Sequence, residues 1–378
     1  MATATPVPQY AYYPVVNAQP LFANVVVAES VMDVPPDVVA IINAAQSFSV
    51  RQHVKLFPKS CCSCPPCVKQ ENTYSVYAGL TRDSEAEFLR LDEVSDDWNR
   101  CCCAPYHPLK LEARAVLPAP GANSDWDNLN RDTLGSWATL TRQQRGLALR
   151  DVYRRYPVLF TMVRDDGMRC CCKTPCKWLN TFVCFGCCQD GMKVYAGATP
   201  EPQDNHERGR PVDIGLDRLL GSVEQPNFGG WCIPTLHLRG EREDASTTPY
   251  AKIEGPCCFG GWSEMCFSFK FFTSKFDSPA KTGDLALIKK KKPASLAGAF
   301  TELFSDADNY TIEFEEQAKL SFSQKVTVIS AQVLADYMFF DGNTEKCKSD
   351  DNGVTCYFFY CSVIGHIIPC CIHIPKQK

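Results

Sequence analysis

KVTVISAQVLADYMFF, residues 325–340, decides the fold of this 378-residue chain. At 1.5 Å per residue, the apolar-leaning part of this segment reaches roughly 22 Å as a helix, short of the ~30 Å hydrocarbon core of a bilayer. Gln332 and Asp336 lie within it, and such side chains are costly in lipid. The pattern therefore predicts a helix buried inside protein rather than a membrane span.

Upstream of this helix, strand-like runs recur from Tyr74 onward. Each run is short, rich in β-branched or aromatic residues, and bounded by turn residues, which is typical of strands. The 45% share of hydrophobic residues is ordinary for a globular protein and allows a large core. We therefore predict a mainly β domain. The clearest strands are TYSVYAG, EFLRLDE, PLKLEARAV, PVLFTMVRDDG, GMKVYAG, PTLHLRG, AKIEG, CFSFKFF and DLALIKK.

SDADNYTIEFEEQ, residues 305–317, begins like a calcium loop and continues like a strand. Asp306 and Asp308 occupy the first and third positions of a twelve-residue loop, but the later positions lack the glycine and the final acid that such a loop needs. The alternation that starts at Tyr310 predicts a strand, so we expect a calcium site here to be weak. The candidate calcium ligands are Asp306, Asp308, Tyr310, Ile312 through its carbonyl, and Glu316.

Cysteine is unusually frequent, with 23 residues, and most of them are adjacent to one another. Neighbouring cysteines rarely bridge each other, and the N-terminus lacks the basic flank and apolar core of a signal peptide. A secreted disulfide scaffold is therefore not predicted. The contiguous clusters are Cys61–Cys62, Cys101–Cys103, Cys170–Cys172, Cys187–Cys188, Cys257–Cys258 and Cys370–Cys371.

Three roles for these cysteines stay open. Pairs with C-x2-C spacing, at Cys61 to Cys67 and at Cys184 to Cys187, permit structural zinc but lie far apart. Contiguous thiols suit thioester-linked acyl chains, because two or more chains turn marginal membrane anchoring into stable anchoring. Isolated cysteines such as Cys232 and Cys266 are expected to be small core residues.

The chain divides by composition into a leader, a domain and a tail. Residues 1–48 are rich in Pro and Ala and nearly uncharged, which predicts a flexible leader; a short helix near its end and contacts with protein partners are further expectations. The β domain spans 49–342, with insertions near 118–156 and 198–215. The first insertion has helical spacing with an Arg-rich face, and the second is a polar loop.

Residues 343–378 form a hydrophobic, Cys-rich tail. Its segment CYFFYCSVIGHIIPCCIHI, residues 356–374, has no formal charge at neutral pH and is long enough to span a bilayer. Its proline and histidines weaken that interpretation. Two alternatives stand: a membrane-embedded or acylated tail, or extra strands packed on the domain.

Charge and motifs argue against several classes of function, although a Cys-His dyad assembled in space stays open. The net charge of −4 gives no indication of a nucleic-acid partner, and no ATP-binding P-loop is present. The six histidines are scattered and none lies in a nucleophile or metalloprotease motif, so we do not expect an enzyme. The run Lys289, Lys290, Lys291 and Lys292 is interpreted as a contact to anionic lipid or solvent, with nuclear import as the alternative.

Several motifs between residues 48 and 342 resemble the phospholipid scramblase family. They are FSVRQHVKLF, NRCCCAPYHPLKLEA, MRCCCKTPC, KIEGPCC, AFTELFSDADNYTIEF and VTVISAQVLADYMFFDG. The resemblance implies a tubby-like closed β-barrel of about twelve strands around the central helix at 325–340. An older description of the family makes this helix a membrane span, which its length disfavours.

The resemblance also implies a function. Family members move membrane phospholipids between leaflets in both directions without ATP and with stimulation by calcium. They lie at the cytoplasmic face of the plasma membrane, and some enter the nucleus. Calcium would bind at the segment beginning at Asp306, and palmitate would be attached at Cys170, Cys171, Cys172 and Cys176.

A second class of function stays open beside this one. A small barrel filled by a helix leaves little room for lipid in its interior. The alternative is therefore a membrane-tethered, palmitoylated module with the same fold that binds lipids or adaptor partners and does not scramble them.

Overall fold

The structure, a computed structural model, describes twelve stretches of the chain. All of them lie within one compact unit, Asp33–Lys378. The predicted acylation cluster and most of the two predicted insertions lie outside the described residues. The described stretches are 36–53, 72–80, 87–94, 109–116, 158–164, 190–200, 214–243, 246–292, 309–340, 346–350, 352–363 and 366–376.

The described residues form sixteen strands and two α-helices. The helices are α1 (Pro36–Ala44) and α2 (Phe322–Ala335). The strands are β1 (Ser47–His53), β2 (Thr73–Ala78), β3 (Glu87–Glu93), β4 (Leu109–Ala115), β5 (Val158–Arg164), β6 (Gly191–Ala196), β7 (Leu219–Glu224), β8 (Thr235–Arg239), β9 (Ala251–Glu254), β10 (Cys258–Phe259), β11 (Phe269–Lys275), β12 (Ala286–Lys290), β13 (Asn309–Phe314), β14 (Cys347–Asp350), β15 (Gly353–Val363) and β16 (His366–Pro375).

Twelve of these strands close into an antiparallel barrel. Consecutive strands are neighbours, except that β9 pairs with β11 and that β1 closes the ring between β2 and β13. In the closing strand, Val50 lies opposite Val76 on one side and opposite Tyr310 on the other. Inward side chains of β1 such as Phe48 and Val50 are fully buried. The prediction of a closed barrel of about twelve strands is confirmed.

Helix α2 is enclosed by protein. Every residue from Phe322 to Ala335 except Gln324 is buried, as expected for a helix that other elements surround on all sides. It packs against β6, β7 and β8. Glycine is required where it meets β7, because a Cβ on Gly221 would lie 2.1 Å from Thr327 Oγ1.

The bounds of this helix differ from the predicted 325–340. A capping box starts it earlier: Ser321 Oγ accepts from the Gln324 amide, and the Gln324 side chain accepts from the Ser321 amide. Its last predicted turn, Asp336–Phe340, is a π-helical turn. The prediction of an internal helix is therefore confirmed in part.

The buried end of α2 carries polar groups that fasten it to the barrel. Asp336 is fully buried, and its carboxylate accepts hydrogen bonds from the phenols of Tyr74 (2.8 Å) and Tyr310 (2.6 Å). Tyr337 donates to Glu93 Oε2 at 2.9 Å. These bonds join the helix end to β2, β13 and β3, which satisfies a carboxylate that would otherwise be costly to bury.

Helix α1 lies within the domain rather than in a flexible leader. Val38 and Ile42 are part of the buried core. Lys325 of α2 donates from Nζ to the carbonyls of Ile42, Asn43 and Ala45, at 3.0, 2.7 and 2.7 Å, and so caps the C-terminal end of α1. The boundary predicted at residue 48 is thus placed too late, because residues 36–48 form α1 and the start of β1.

The tail strands β14, β15 and β16 form a second sheet with β10, and we call these four strands the capping sheet. Strand β15 is central, pairing with β16 along its length and with β14 and β10 at different positions. The alternative of extra strands packed on the domain is therefore the one observed. Among the described residues, no helix combines the length and apolar character needed to cross a bilayer.

The capping sheet packs over the barrel end where α2 finishes. Phe259 of β10 is fully buried and makes edge contacts with Phe339 and Phe340. Tyr360 of β15 lies against Gly260, where a Cβ would approach its ring to 2.9 Å. The sheet therefore covers an aromatic cluster formed by Phe259, Phe269, Phe271, Tyr310, Phe339 and Phe340.

Candidate functional site

The capping sheet has an inward face, part of which packs on the barrel, and an outward face. Residues that lie directly opposite in antiparallel strands share a face. On the inward face, Tyr357 and Tyr360 stack at 5.8 Å and Ile367 packs against the core, whereas Cys371 and His373 farther along β16 are exposed. The other face points away from the barrel. Its opposed pairs are Val354 with Ile374, Cys356 with Ile372, Phe359 with Cys370, and Cys361 with Ile368.

This outward face is apolar and exposed. Ile374, Ile372 and Ile368 are 59%, 56% and 47% exposed, and Val354 and Phe359 are each 37% exposed. No Lys, Arg, Asp or Glu occurs from Gly353 to Pro375. Scattered apolar residues on a surface are ordinary, but a contiguous apolar face marks a surface that binds a partner or a membrane.

The basic run at the end of β12 divides into buried and exposed lysines. Lys290 is buried; its ammonium lies 3.1 Å from Glu264 Oε1 and 3.7 Å from the centre of the Phe340 ring. Lys289 pairs with Glu313 at 3.5 Å. The two remaining members of the run, Lys291 and Lys292, are exposed. The run therefore does not present four accessible lysines in a row to an import receptor.

Exposed aromatic side chains lie next to the exposed lysines. The Lys292 amide donates to Ser268 Oγ at 3.2 Å, and the neighbouring Phe267 is 64% exposed. The 3-10 turn Gly261–Met265 presents Trp262, which is also exposed. Aromatic and cationic side chains in this combination are typical of a surface that contacts lipid headgroups.

Glu264 connects this basic strand end to the capping sheet. Its two carboxylate oxygens face Lys290 (3.1 Å) and Lys346 (4.0 Å). Lys346 immediately precedes β14. The 3-10 turn Gly261–Met265 thus links the basic strand end and the exposed aromatic residues to the capping sheet.

The predicted calcium ligands do not form a loop in the described residues. Tyr310 and Ile312 are buried in β13, which pairs with β1 and β12 along both edges. The Tyr310 hydroxyl is bonded to Asp336, and Glu316 lies in an exposed 3-10 turn. The strand predicted from Tyr310 is confirmed, and these two residues do not fit a twelve-residue calcium loop. Asp306 and Asp308 lie outside the described residues.

Across the described part of the chain, no cluster of three or more His, Cys, Asp or Glu side chains is arranged to hold a metal ion. The acylation residues Cys170, Cys171, Cys172 and Cys176 lie outside the described ranges, so their role stays a prediction. Cys232 and Cys266 are exposed, so their assignment as core residues was wrong. A disulfide joins Cys347 to Cys356, which the sequence did not predict.

Comparison with known proteins supports the family resemblance. Residues 219–342, from β7 to just beyond the π-helical turn, match the family described as Scramblase. Phospholipid scramblase 1 of Mus musculus is 26% identical over 167 residues, covering 43% of this chain and 39% of that protein. Phospholipid scramblase 2 of Bos taurus is 26% identical over 163 residues, covering 43% of each. The chain thus aligns with less than half the length of either relative. No solved structure matches.

Proposed function

We propose that this scramblase-like protein binds a membrane and lets phospholipids move between the two leaflets in both directions without ATP. The observation that carries the proposal is the match of residues 219–342 to the Scramblase family. That segment contains the exposed aromatic turn, the basic strand end and helix α2. The chain contains no P-loop, so lipid movement would run down its own concentration gradient.

The outward face of the capping sheet is the proposed contact with the acyl chains. A side chain of the Val, Ile or Phe type that moves fully from water to an apolar environment gains about 1.5–3 kcal/mol. Partial insertion of the five exposed apolar side chains would therefore contribute on the order of 5 kcal/mol. Lys291 and Lys292 would each add about 1 kcal/mol beside anionic headgroups.

The composition of β16 favours a lipid partner over another strand. This strand is at the edge of the capping sheet among the described residues, and it contains Pro369 and Pro375. Proline has no amide hydrogen and is tolerated in an edge strand where that position points outward. The edge thus lacks two of the donors that strand addition would use. Contact through the apolar face requires none of them.

Lipid movement in this proposal takes place at the protein surface. The interior of the barrel is filled by α2, which excludes a lipid path through it. An inserted apolar face next to exposed lysines would disturb acyl-chain packing while attracting phosphate groups. This local disturbance lowers the cost of moving a headgroup through hydrocarbon.

Two further features of the proposal come from the family resemblance alone. Palmitate on Cys170, Cys171, Cys172 and Cys176 would strengthen anchoring, because several acyl chains hold a protein far longer than one. The plasma membrane is the proposed location. We assign no step to calcium, because Tyr310 and Ile312 do not fit the loop, and we do not extend the proposal to nuclear import, because Lys290 is buried.

A membrane-tethered lipid-binding or adaptor module is the second candidate, favoured by the filled barrel interior. Reconstitution of the purified protein into vesicles that carry a fluorescent phospholipid in both leaflets separates the two. Scrambling would expose the inner-leaflet probe to an impermeant reductant added outside. Tight binding to vesicles with the inner-leaflet probe still protected would favour the lipid-binding or adaptor module.

A further inference from the structure

Two free cysteines face each other where the barrel segment meets the capping sheet. Cys258 in the two-residue strand β10 lies directly opposite Cys361 in β15. Their sulfur atoms are 3.0 Å apart. In sequence, β10 lies between the barrel strands β9 and β11. The Cys258–Cys361 pair therefore lies where the part of the chain that forms the barrel pairs with the C-terminal tail.

The backbone hydrogen bonds show which kind of cross-strand pair this is. The Ser362 amide donates to the Cys257 carbonyl at 3.0 Å, so the adjacent residues form the hydrogen-bonded pair. Cys258 and Cys361 therefore form a non-hydrogen-bonded pair, in which the Cα atoms approach to about 4.5 Å. That separation lies within the range in which disulfides form.

The same sheet already contains a disulfide with this geometry. The Tyr357 amide donates to the Lys346 carbonyl at 2.9 Å, which makes Cys347 and Cys356 the neighbouring non-hydrogen-bonded pair. These two residues are disulfide-bonded with a Cα–Cα distance of 4.1 Å. Both pairs share β15 and lie on the outward face. The backbone geometry that permits the Cys347–Cys356 disulfide is therefore also present at Cys258 and Cys361.

Further thiols surround the free pair. Cys257 Sγ lies 3.7 Å from Cys258 Sγ and is exposed, and Cys370 Sγ lies 3.8 Å from Cys361 Sγ. Cys258, Cys361 and Cys370 are all partly exposed. A small disulfide in solution can therefore reach the group.

We propose that Cys258 and Cys361 form a reversible disulfide by exchange with a low-molecular-weight disulfide such as glutathione disulfide, and that this bond locks β10 to β15. The proposal does not depend on lipid movement. The cross-link would join two positions 103 residues apart in sequence. It would hold the capping sheet over the barrel end that it covers.

The exchange has two steps. The Cys258 thiol loses its proton to solvent, and its thiolate attacks one sulfur of glutathione disulfide; a mixed disulfide forms and one glutathione thiolate leaves. The Cys361 thiol then loses its proton and attacks the Cys258 sulfur, which forms the protein disulfide and releases the second glutathione. The two protein thiols are oxidised and one glutathione disulfide is reduced to two glutathiones.

The environment of the pair raises the pKa of both thiols, so we expect the exchange to be slow at neutral pH. Burial, followed by hydrogen bonding to Cys258 and Cys370, raises the pKa of the Cys361 thiol. The hydrogen bond to Cys361 lowers the pKa of Cys258, but burial and the neighbouring Cys257 outweigh it, so its pKa is also raised. Because the thiolate is the nucleophile, exchange should accelerate as the pH rises.

The test is a redox titration of the purified full-length protein in glutathione buffers of increasing oxidised fraction. Free thiols are trapped with an alkylating reagent, and cross-linked peptides are identified by mass spectrometry. A peptide pair joining β10 to β15 should appear as the oxidised fraction rises and disappear on reduction. It should persist in Cys257→Ser and Cys370→Ser, which assigns the bond to Cys258 and Cys361.

The matched variants complete the test. In Cys361→Ser the cross-link should be lost and glutathione should accumulate on Cys258, while Cys266→Ser, which removes an exposed cysteine of the adjoining turn, should leave the cross-link unchanged. Absence of the β10–β15 peptide in wild-type protein at the most oxidising ratio would overturn the proposal. So would loss of that peptide in Cys370→Ser, since Cys361 would then not be the partner.

Discussion

Replacing Tyr310 with phenylalanine should destabilise the protein, because Tyr310 serves as a core residue bonded to Asp336 rather than as a calcium ligand. The Tyr310 hydroxyl donates to the Asp336 carboxylate at 2.6 Å. Both residues lie in the core and are shielded from solvent. A hydrogen bond to a charged group contributes about 1.5–3 kcal/mol to stability. Tyr310→Phe should therefore lower the free energy of unfolding by about 2 kcal/mol, measured by urea titration.

A double-mutant cycle sharpens this prediction. Tyr74 donates to the other oxygen of Asp336 at 2.8 Å, so Tyr74→Phe should have a similar effect. The double variant should lose more than the sum of the two, because both phenols serve one buried carboxylate. Tyr357→Phe, on the half-buried capping sheet, is the control and should change stability by less than about 0.5 kcal/mol.

Two results would refute this reasoning. If Tyr310→Phe is as stable as the wild type, its hydroxyl does not serve the buried carboxylate. If the variant keeps its stability and loses a calcium response, the segment is a metal loop and the placement of Tyr310 in the core is wrong.

Three other predictions concern the barrel and its helices. Burial, with nearby positive charges, lowers the pKa of His237 below 6.5. The unfolded state therefore binds more protons, so stability should fall as the pH drops below 6.5 and level off below the folded-state pKa. His237→Gln should flatten this pH dependence in unfolding curves recorded between about pH 5 and 7, and an unchanged slope would contradict the prediction. Gly221→Ala should cost about 1–3 kcal/mol in denaturant titrations, because the new methyl group would overlap Thr327; a neutral effect would show that α2 does not approach β7 closely. Lys325→Met should leave the α1 carbonyls unpaired and expose α1 amides to hydrogen exchange, whereas α1 protection equal to that of the wild type would rule out the cap.

Alternation of side chains was sufficient to predict most of the barrel. Runs such as EFLRLDE coincide with observed strands because one face packs on the core and the other is more polar. Strand β7 escaped notice because its sequence, LLGSVE, contains a glycine that the approach of α2 requires. Strand β10 has two residues, too few for a periodic signal.

The capping sheet could not be distinguished from a membrane segment by sequence. Both faces of β15 carry apolar side chains: Tyr360 on one face is buried against the barrel, whereas Val354 and Phe359 on the other face are exposed. A continuous apolar run fits a buried strand and a membrane segment equally well. The pairing of β15 with three other strands, together with the burial of Tyr360, shows which side faces outward.

The basic run shows that the sequence also does not predict which side chains of a strand are buried. Four consecutive lysines predict a uniformly exposed cationic patch. In the strand, Lys290 instead points inward, where its ammonium pairs with Glu264 and lies over the Phe340 ring. Those partners lie far away in sequence, so nothing near the run indicates them. The lipid contact of this run stays a proposal, which now rests on the exposed Lys291 and Lys292.

The most direct test of the proposed function is the rate at which inner-leaflet lipid becomes accessible in vesicles containing Ile372→Glu. A glutamate on the outward face would place a charge in the acyl-chain region, which is strongly unfavourable. The matched control is Leu216→Glu, which replaces another exposed apolar residue outside the capping sheet. We predict that the wild type and Leu216→Glu scramble lipid and that Ile372→Glu does not, with all three folded alike. Equal rates for all three would contradict the account.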